Sequence, residues 1–270
     1  MAPESAIGPE RLDALLVSRG LAETRSRAQA LVLAGAVRVG GEVVTKAGSR
    51  FPSDADLSVE GGSPYVSRAG EKLAGALGDF NVEIEGRDCL DAGASTGGFT
   101  DVLLQRGASR VISVDVGYGQ LDWRLRNDPR VSVMERANLR YLSAGDLPFR
   151  PDLLVADLSF ISLRVALESV VCTSEALREM ILLVKPQFEA GREHVGRGGL
   201  VSDPEARAGA IHRVVEEFSR LDFGAVGLSR AAIAGRRSGN REYPLRLVRG
   251  AEGTLTAQRI EEAVAEAVEE

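Results

Sequence analysis

Two lysines and two acidic residues, far apart in the chain, have the side chains needed to move a proton at a hydroxyl group. Lys185 ends an apolar run and precedes a proline, and Asp157 ends another apolar run. A lysine at a buried strand end loses hydration, which favours its neutral, basic form, whereas a nearby carboxylate favours the charged form. The ordinary alternative is a lysine that extends to solvent. Lys72 and Glu242 supply a second cation and a second acid, so the four groups together could deprotonate and orient a weakly acidic hydroxyl.

A glycine-rich turn, DAGASTGGFT, follows the short apolar sequence Cys89-Leu90. Glycine lets the backbone approach a ligand closely and tolerates positive φ. The spacing of Gly93, Gly97 and Gly98 is G-x-x-x-G-G, which differs from the motifs of dinucleotide sites and P-loops, and no lysine follows to contact a terminal phosphate. The turn therefore suits a ligand with an adenosine and no pyrophosphate, such as S-adenosylmethionine.

Polar residues also follow the neighbouring predicted strands, where ligands bind in open α/β sheets. Asp115 ends the second strand, where an acid accepts hydrogen bonds from ribose hydroxyls, and Asn138 is expected to face the adenine. One such residue could equally be a helix cap or a solvated turn, but five at consecutive strand ends favour a binding site. The expected cofactor contacts are Asp91, Gly93, Ala94, Ser95, Thr96, Gly97, Gly98, Phe99, Asp115, Asn138 and Asp157.

The elements that position these residues alternate between strand and helix, which predicts a doubly wound, Rossmann-like α/β domain. Helices are expected at Gly98–Gln105 and Glu205–Arg220, and Thr256–Val268 is an amphipathic helix that should pack on the domain. A late, hairpin-like pair of strands favours a class I methyltransferase fold with a seven-stranded, mostly parallel sheet. The predicted strands are Asp88–Ala92, Arg110–Val116, Val131–Glu135, Leu153–Asp157, Ile181–Lys185, Gly224–Ser229 and Glu242–Val248.

The N-terminal part of the chain is basic, although the whole protein is acidic. The net charge of the 270 residues is −6, but seven basic residues stand against three acids between Arg11 and Arg50. A whole-chain charge hides such a patch. Helical spacing from Arg11, a second helix capped by Thr24, and two short strands around Gly40-Gly41 predict a small α+β unit.

Three motifs of this unit resemble the S4 RNA-binding domain. They are RLDALL, GLAETRSRA and LVLAGAVRVGG, and they follow one another along the chain. The resemblance implies that the second helix holds basic side chains against RNA phosphates, with solvated surface charge as the alternative. The expected RNA contacts are Arg11, Arg25, Arg27, Gln29 and Lys46, together with Arg68 at the start of the larger domain.

The larger domain resembles the TlyA family of rRNA methyltransferases. The motifs that carry the resemblance are VSRAGEKL, DAGASTGGFT, VDVGYGQL, LRNDPRV, ADLSFISL, LVKPQFE and SGNREY. Lys72, Asp157, Lys185 and Glu242 also occur in the order found in ribose 2′-O-methyltransferases related to the heat-shock RNA methyltransferase. The resemblance therefore implies an S4 domain joined to a class I methyltransferase domain.

The activity that the resemblance implies is S-adenosylmethionine-dependent methylation of cytidine 2′-hydroxyls in ribosomal RNA. Lys185 would be the base, and Asp157, Lys72 and Glu242 would orient it and hold the ribose. Phe160 would flank the cofactor, although a core aromatic is an equal alternative. Relatives with both an N-terminal extension and a final helix resemble those that act on both ribosomal subunits, so both 16S and 23S rRNA are expected substrates.

Two features depart from the family pattern. Ala137 stands where the family motif ERTN has threonine, so any hydroxyl contact there is lost. A turn-rich segment at residues 61–66 predicts a linker between an S4-like domain at 1–60 and a methyltransferase domain at 67–270. The family linker often carries an arginine and an aromatic residue before VSR, where this chain has Ser63-Pro64-Tyr65-Val66, which leaves open whether the linker couples RNA binding to cofactor binding.

Composition and terminal sequence favour a cytoplasmic protein, expected to be a monomer. Hydrophobic residues make up 44% of the chain and charged residues 27%, as in ordinary globular proteins. The start MAPESAIGPERLD lacks the regions of a signal peptide, and no apolar run approaches the ~18–20 residues of a membrane helix. The two cysteines are expected to be buried thiols, and neither histidine has a partner at metal-ligand spacing, so no metal is expected.

Three other functions remain as alternatives. A haemolysin would need apolar spans or barrel strands, which the sequence does not offer. A ribosome-assembly factor could bind RNA and carry an inactive methyltransferase fold, although the presence of the glycine turn and all four polar residues argues against it. A base methyltransferase would typically carry N-P-P-[YF] or a cysteine after the fourth strand, where this chain has Asp157-Leu158-Ser159-Phe160.

Overall fold

The computed structural model describes residues 9–22, 24–33, 35–59, 64–231 and 240–265. Contacts within the chain divide it into two compact units, Met1–Pro64 and Tyr65–Glu270. The first three residues of the predicted linker 61–66 lie outside the described residues, and its last two belong to the second unit.

The first unit packs two helices on short antiparallel strands. Its elements are β1 (Glu10–Arg11), α1 (Leu12–Ser18), α2 (Arg25–Leu33), β2 (Val37–Val39), β3 (Glu42–Val43), β4 (Arg50–Phe51) and β5 (Leu57–Val59). The strands pair in the orders β3-β2-β5 and β1-β4. Leu12, Leu16 and Val32 are fully buried because helical spacing places them on the inner faces of α1 and α2. The predicted cap of α2 is present, since the Arg27 N–H donates to Thr24 Oγ1 at 3.1 Å.

The second unit confirms the prediction of a seven-stranded, mostly parallel sheet. The strand order is β11-β12-β10-β9-β6-β7-β8, and only the pairs that involve β12 are antiparallel within this sheet. All seven predicted strands are present, with ends shifted by two residues at most, because apolar patterning does not mark the last ladder hydrogen bond. The elements are α3 (Ala69–Asp79), β6 (Asp88–Ala92), α4 (Gly98–Gln105), β7 (Arg110–Val114), α5 (Trp123–Arg126), β8 (Val131–Met134), β9 (Leu153–Ala156), α6 (Leu163–Thr173), β10 (Glu179–Val184), α7 (Pro186–Glu189), α8 (Pro204–Ser219), β11 (Phe223–Leu228), β12 (Tyr243–Arg249) and α9 (Ala257–Ala265).

Helices cover both faces of the central strands, so β9 and β10 are buried along their whole length and read as continuous apolar runs. Residues of α3 and α4 form the core on one face, and residues of α6, α8 and α9 form it on the other. The final helix packs on the domain as predicted, through Ile260 and Val264. Cys89 is buried, but Cys172 is exposed on α6, so the expectation that both thiols are buried is wrong. Among the described helices, none combines the length and the apolar character that a membrane crossing requires.

Replacing Gly209 with alanine should stabilise the protein. Gly209 is exposed within α8, and a Cβ built there meets no atom within 4 Å. Because glycine costs a helix interior roughly 0.5–1 kcal/mol relative to alanine, we expect the free energy of unfolding to rise by about that amount in urea titrations. Gly70→Ala is the contrasting variant, since its Cβ would lie 2.6 Å from Tyr65 Cβ. Equal stability changes in the two variants would contradict this explanation.

Candidate active site

The four predicted proton-transfer residues meet at one edge of the sheet. Asp157 follows the parallel strand β9, and Lys185 follows its parallel neighbour β10. Because β12 runs antiparallel to β10 and Tyr243 pairs with Val184, Glu242 lies at the same edge although it precedes its strand. The sheet order therefore gathers residues that are distant in the sequence.

Lys185 and Asp157 form an ion pair. The Lys185 Nζ lies 2.6 Å from Asp157 Oδ1 and also donates to Ser159 Oγ at 2.9 Å. Both charged side chains are largely shielded from water, and Ser159 belongs to the loop that carries Asp157. The amine is thus held by two acceptors at a fixed position, which is the arrangement that an acid–base residue needs.

Lys72 and Glu242 form a second ion pair, with Nζ 2.5 Å from Oε2. Lys72 lies on α3, and both side chains are at least four-fifths buried. The predicted set of four thus consists of two lysine–carboxylate pairs. One pair follows the ends of β9 and β10, and the other joins α3 to the residue that precedes β12.

The glycine turn adopts backbone conformations that favour glycine, as expected. Gly93 has φ of +86° and Gly97 has φ of +96°. The space left by the missing side chains is occupied by protein: a Cβ on Gly93 would lie 2.9 Å from the Asp157 carbonyl oxygen, and one on Gly97 would lie 2.3 Å from Leu125 Cδ1. These two glycines therefore allow the turn to pack on the loop that carries Asp157 and on α5, a role that the sequence did not indicate.

Asp91 is fully buried beneath the turn and lines neither of the cavities described below. Its Oδ2 accepts from the Thr100 N–H at 2.9 Å and from Thr100 Oγ1 at 2.6 Å, so it holds the first turn of α4. Thr100 Oγ1 in turn lies 2.7 Å from Ser113 Oγ. The structure gives Asp91 the position of a support for the turn, whereas the sequence led us to expect a cofactor contact.

The stability of the protein should depend on pH through Asp91. Burial raises the pKa of its carboxyl to about 7, against the hydrogen bonds from Thr100, which lower it. Since the folded state holds this proton more tightly, the stabilisation is complete below the ordinary value of 3.8 and is lost as the pH rises through about 7. In the wild-type protein the free energy of unfolding should therefore fall as the pH rises from 3.8 to about 7. In Asp91→Asn, which has no carboxyl to titrate, we expect this fall to be smaller when both proteins are measured by urea titration at several pH values. Parallel pH curves for the two proteins would contradict this.

Two cavities adjoin the turn. One, of about 200 Å³, lies beside Lys185, and the other, of about 540 Å³, lies over Asp115 and Asn138. They share Gly93, Ser95, Asp157 and Ser159. Of the predicted cofactor contacts, all but Asp91 and Gly97 line one or both cavities. The lining residues that the sequence did not single out are Ser67, Ala69, Val116, Gln120, Leu139, Leu158, Ser159, Ile161 and Ala166.

Asp115 and Asn138 are themselves fixed by the backbone. Asp115 Oδ2 accepts from the Ser95 N–H at 2.8 Å and its Oδ1 accepts from the Gly117 N–H at 2.7 Å. Asn138 Oδ1 accepts from the Arg140 N–H at 3.1 Å. Both side chains are therefore held rigidly at the wall of the larger cavity.

Phe160 is 90% exposed and lines the larger cavity, so the alternative of a core aromatic is wrong. Its φ of +66° is unusual for a residue with a side chain and costs of order 1–3 kcal/mol. Its ring centroid lies 5.3 Å from that of Phe188, which follows Lys185 on α7. The loop from Asp157 thus presents an aromatic ring at the mouth of the site.

In the first unit, three of the expected RNA contacts converge on a buried carboxylate. Asp13 accepts from Arg11 Nη2 at 2.8 Å, from Arg25 Nη2 at 3.3 Å and from Gln29 Nε2 at 2.8 Å. The hydrogen bonds from Arg11 hold the pKa of this carboxyl far below its usual range, against the effect of burial. Both guanidinium groups remain about half exposed. The other expected contacts are the half-buried Arg27 and the exposed Lys46 and Arg68.

No cluster of three or more metal-ligating side chains occurs in the described part of the chain.

Two family models match the sequence. The model described as FtsJ-like methyltransferase matches residues 65–249, and the model described as S4 domain matches residues 10–56. The first match covers more than half of the chain, and the second lies within the first unit, Met1–Pro64.

Relatives match over nearly the whole chain. The protein is 47% identical over 262 residues to the 16S/23S rRNA (cytidine-2′-O)-methyltransferase TlyA of Mycobacterium tuberculosis, which covers 96% of this chain and 97% of that one. It is 38% identical to hemolysin A of Brachyspira hyodysenteriae, over 86% of this chain and 97% of that one. A solved structure from Streptococcus thermophilus, described as a hemolysin, superposes with a TM-score of 0.75 at 39% identity and covers 97% of this chain and 96% of that one. The chain therefore belongs to the TlyA family, and it joins an S4 domain to an FtsJ-like methyltransferase domain.

Proposed function

We propose that this protein methylates the ribose 2′-hydroxyl of cytidines in 16S and 23S ribosomal RNA, with S-adenosylmethionine as the methyl donor. The observation that carries the proposal is the pair of buried lysine–carboxylate contacts at the edge of the sheet, one of which, Lys185–Asp157, lines a cavity together with the glycine turn. The cytidine and the two rRNA substrates follow from the M. tuberculosis relative that matches the full length.

Lys185 is the base in this proposal. Asp157 and Ser159 hold its Nζ at a defined position. Once the ammonium group has released a proton to solvent, the amine accepts the 2′-hydroxyl proton as the oxygen gains a methyl group. Bound S-adenosylmethionine would supply an electrophilic methyl on a sulfonium sulfur. Lys72, fixed by Glu242, provides a second positioned cation that holds the ribose.

The cavities fit this cofactor. The larger one has the volume of a small-molecule site, and Asp115 and Asn138 supply acceptors for ribose and adenine. None of the residues that line it is lysine or arginine, which suits a ligand without a pyrophosphate. Phe160 offers an apolar face at the opening.

The first unit would bind the RNA. Asp13 orients Arg11, Arg25 and Gln29, and it leaves both guanidinium groups accessible for phosphate oxygens. The exposed Lys46 adds a further cation. Oriented donors lose less entropy on binding than free surface lysines, which favours specific RNA contact over solvated surface charge.

The test is methyl transfer from labelled S-adenosylmethionine to small subunits, large subunits and protein-free rRNA, followed by digestion to nucleosides and mapping of blocked 2′-hydroxyls. We expect 2′-O-methylcytidine in both 16S and 23S rRNA. Label on a base would contradict the reaction, and label in one rRNA alone would contradict the dual substrate. Absence of transfer to all three substrates, with no cofactor binding by calorimetry in the presence of rRNA, would favour an assembly factor with an inactive fold.

A further inference from the structure

Glu189 is a buried acid that the proposed reaction does not use. It lies at the end of α7, four residues after Lys185, and only 4% of it is exposed. Its Oε1 accepts from the N–H of Leu163 at 2.8 Å. Leu163 is the first residue of α6, where backbone N–H groups have no partner within the helix.

The carboxylate of Glu189 replaces the usual cap of α6. Ser162 occupies the capping position, but its side chain accepts no hydrogen bond from the helix and instead hydrogen-bonds to Glu189. A negative charge at a helix N-terminus is stabilised by the helix dipole as well as by the hydrogen bond. Glu189 thus fastens α7 to the beginning of α6.

The segment between β9 and α6 is consequently held at both ends by the segment after β10. At its first end, Lys185 binds Asp157 and Ser159. At its other end, Glu189 binds Ser162 and the N–H of the next residue. Between them, the rings of Phe160 and Phe188 lie in contact.

We propose that Glu189 is a positioning residue for methyl transfer. It holds the loop 157–162 in a fixed position against α7, the helix that follows Lys185. The inference rests on the proposed function, because the loop matters through the catalytic carboxylate and the aromatic ring that it carries. We call the hydrogen bonds of Glu189 with Ser162 and the Leu163 N–H the clamp. Without it, the strained backbone of Phe160 can relax, which shifts the Asp157 carboxylate and the Phe160 ring. A displacement of about 1 Å at a reacting group can cost a hundredfold in rate.

The clamp should be sensitive to pH near neutrality. Burial raises the pKa of Glu189 to about 7, and the Ser162 and Leu163 hydrogen bonds oppose this shift. The charged groups that face it are on α8: Glu217, which raises the pKa, and Arg213, which lowers it. Because the ionised carboxylate is the stronger acceptor at the helix terminus, the clamp should weaken as the pH falls below about 7.

The test compares the full-length wild-type protein with Glu189→Gln in the rRNA methylation assay between about pH 5.5 and 8.5. We expect kcat of the variant to be roughly ten- to a hundredfold lower at high pH, with the ratio of the two proteins approaching one at low pH. The pH at which the two kcat values converge should follow the pKa of Glu189. Introducing Glu217→Gln into both proteins should lower that pH, because Glu217 raises this pKa, and introducing Ser162→Ala should raise it, because the Ser162 hydrogen bond lowers this pKa. A merely structural role would not produce these shifts.

Two results would overturn the inference. One is a ratio that stays constant with pH while both proteins bind S-adenosylmethionine and melt cooperatively. The other is a pH profile of kcat that is the same in Glu217→Gln and Ser162→Ala as in the wild-type protein. This second measurement does not need Glu189→Gln, so it tests the inference even if that variant fails to fold. Lack of methylation by the wild-type protein would instead count against the proposed function.

Discussion

Replacing Lys185 with alanine should lower kcat for rRNA methylation by roughly 10²–10⁴-fold, the usual contribution of a general base. The physical reason is that Nζ is the group held by Asp157 Oδ1 and Ser159 Oγ beside the glycine turn. The affinity for S-adenosylmethionine should change much less, because the larger cavity is lined by other residues. Single-turnover methylation and calorimetry measure the two quantities separately.

Lys185→Arg distinguishes a base from a simple positive charge. Arginine keeps the charge and the ion pair with Asp157 but does not release its proton at ordinary pH. It should therefore be nearly as inactive as the alanine variant. Substantial activity in Lys185→Arg would exclude Lys185 as the base. The double variant Lys185→Met, Asp157→Asn removes both buried charges, so its loss of turnover cannot be assigned to an unpaired carboxylate.

Replacing Gly93 with alanine should weaken both cofactor binding and the fold. Its φ of +86° is strained for alanine by about 1–3 kcal/mol, and its Cβ would lie 2.8 Å from Leu158 Cδ2 and 2.9 Å from the Asp157 carbonyl oxygen. The carbonyl belongs to the backbone and cannot rotate away, so the turn and the Asp157 loop must separate. We expect S-adenosylmethionine affinity to fall at least roughly tenfold, together with a lower Tm, measured by calorimetry and thermal unfolding.

Gly119→Ala is the matched control for this variant. Gly119 also has positive φ, +69°, but a Cβ there meets no atom within 4 Å. It therefore reports backbone strain without the steric overlap. If both variants lost cofactor affinity equally, the close packing of the turn on Asp157 would not be the cause.

The second unit could be predicted from the sequence because its signals are local. Central strands covered by helices must be apolar throughout, as in β10, and a turn with positive φ needs glycine, as at Gly93 and Gly97. The sequence also placed Asp157 and Lys185 correctly at strand ends. What it could not show is the partner of Lys72, because Glu242 is 170 residues away and approaches through an antiparallel strand.

For other residues the sequence could not show a second contact, because the same residue type serves two purposes. Asp91 precedes glycines, which is typical of a ligand contact, but its carboxylate holds Thr100 at the start of α4. Arg11 and Arg25 are basic residues in an RNA-binding motif, yet each also binds Asp13, whose burial no local pattern reveals. Tertiary contacts decide such cases, and a single sequence does not contain them.

The shared carboxylate of the first unit also determines how ionic strength should act on the RNA binding proposed for this unit. Proteins gain affinity by releasing cations condensed on phosphates, so the logarithm of the binding constant falls with the logarithm of salt concentration in proportion to the charge brought in. Arg11 and Arg25 together bring two positive charges, but Asp13 already neutralises one of them. Counterion release should therefore be smaller than the seven basic residues between Arg11 and Arg50 suggest. A larger share of the binding free energy then comes from the geometry in which the two guanidinium groups are presented.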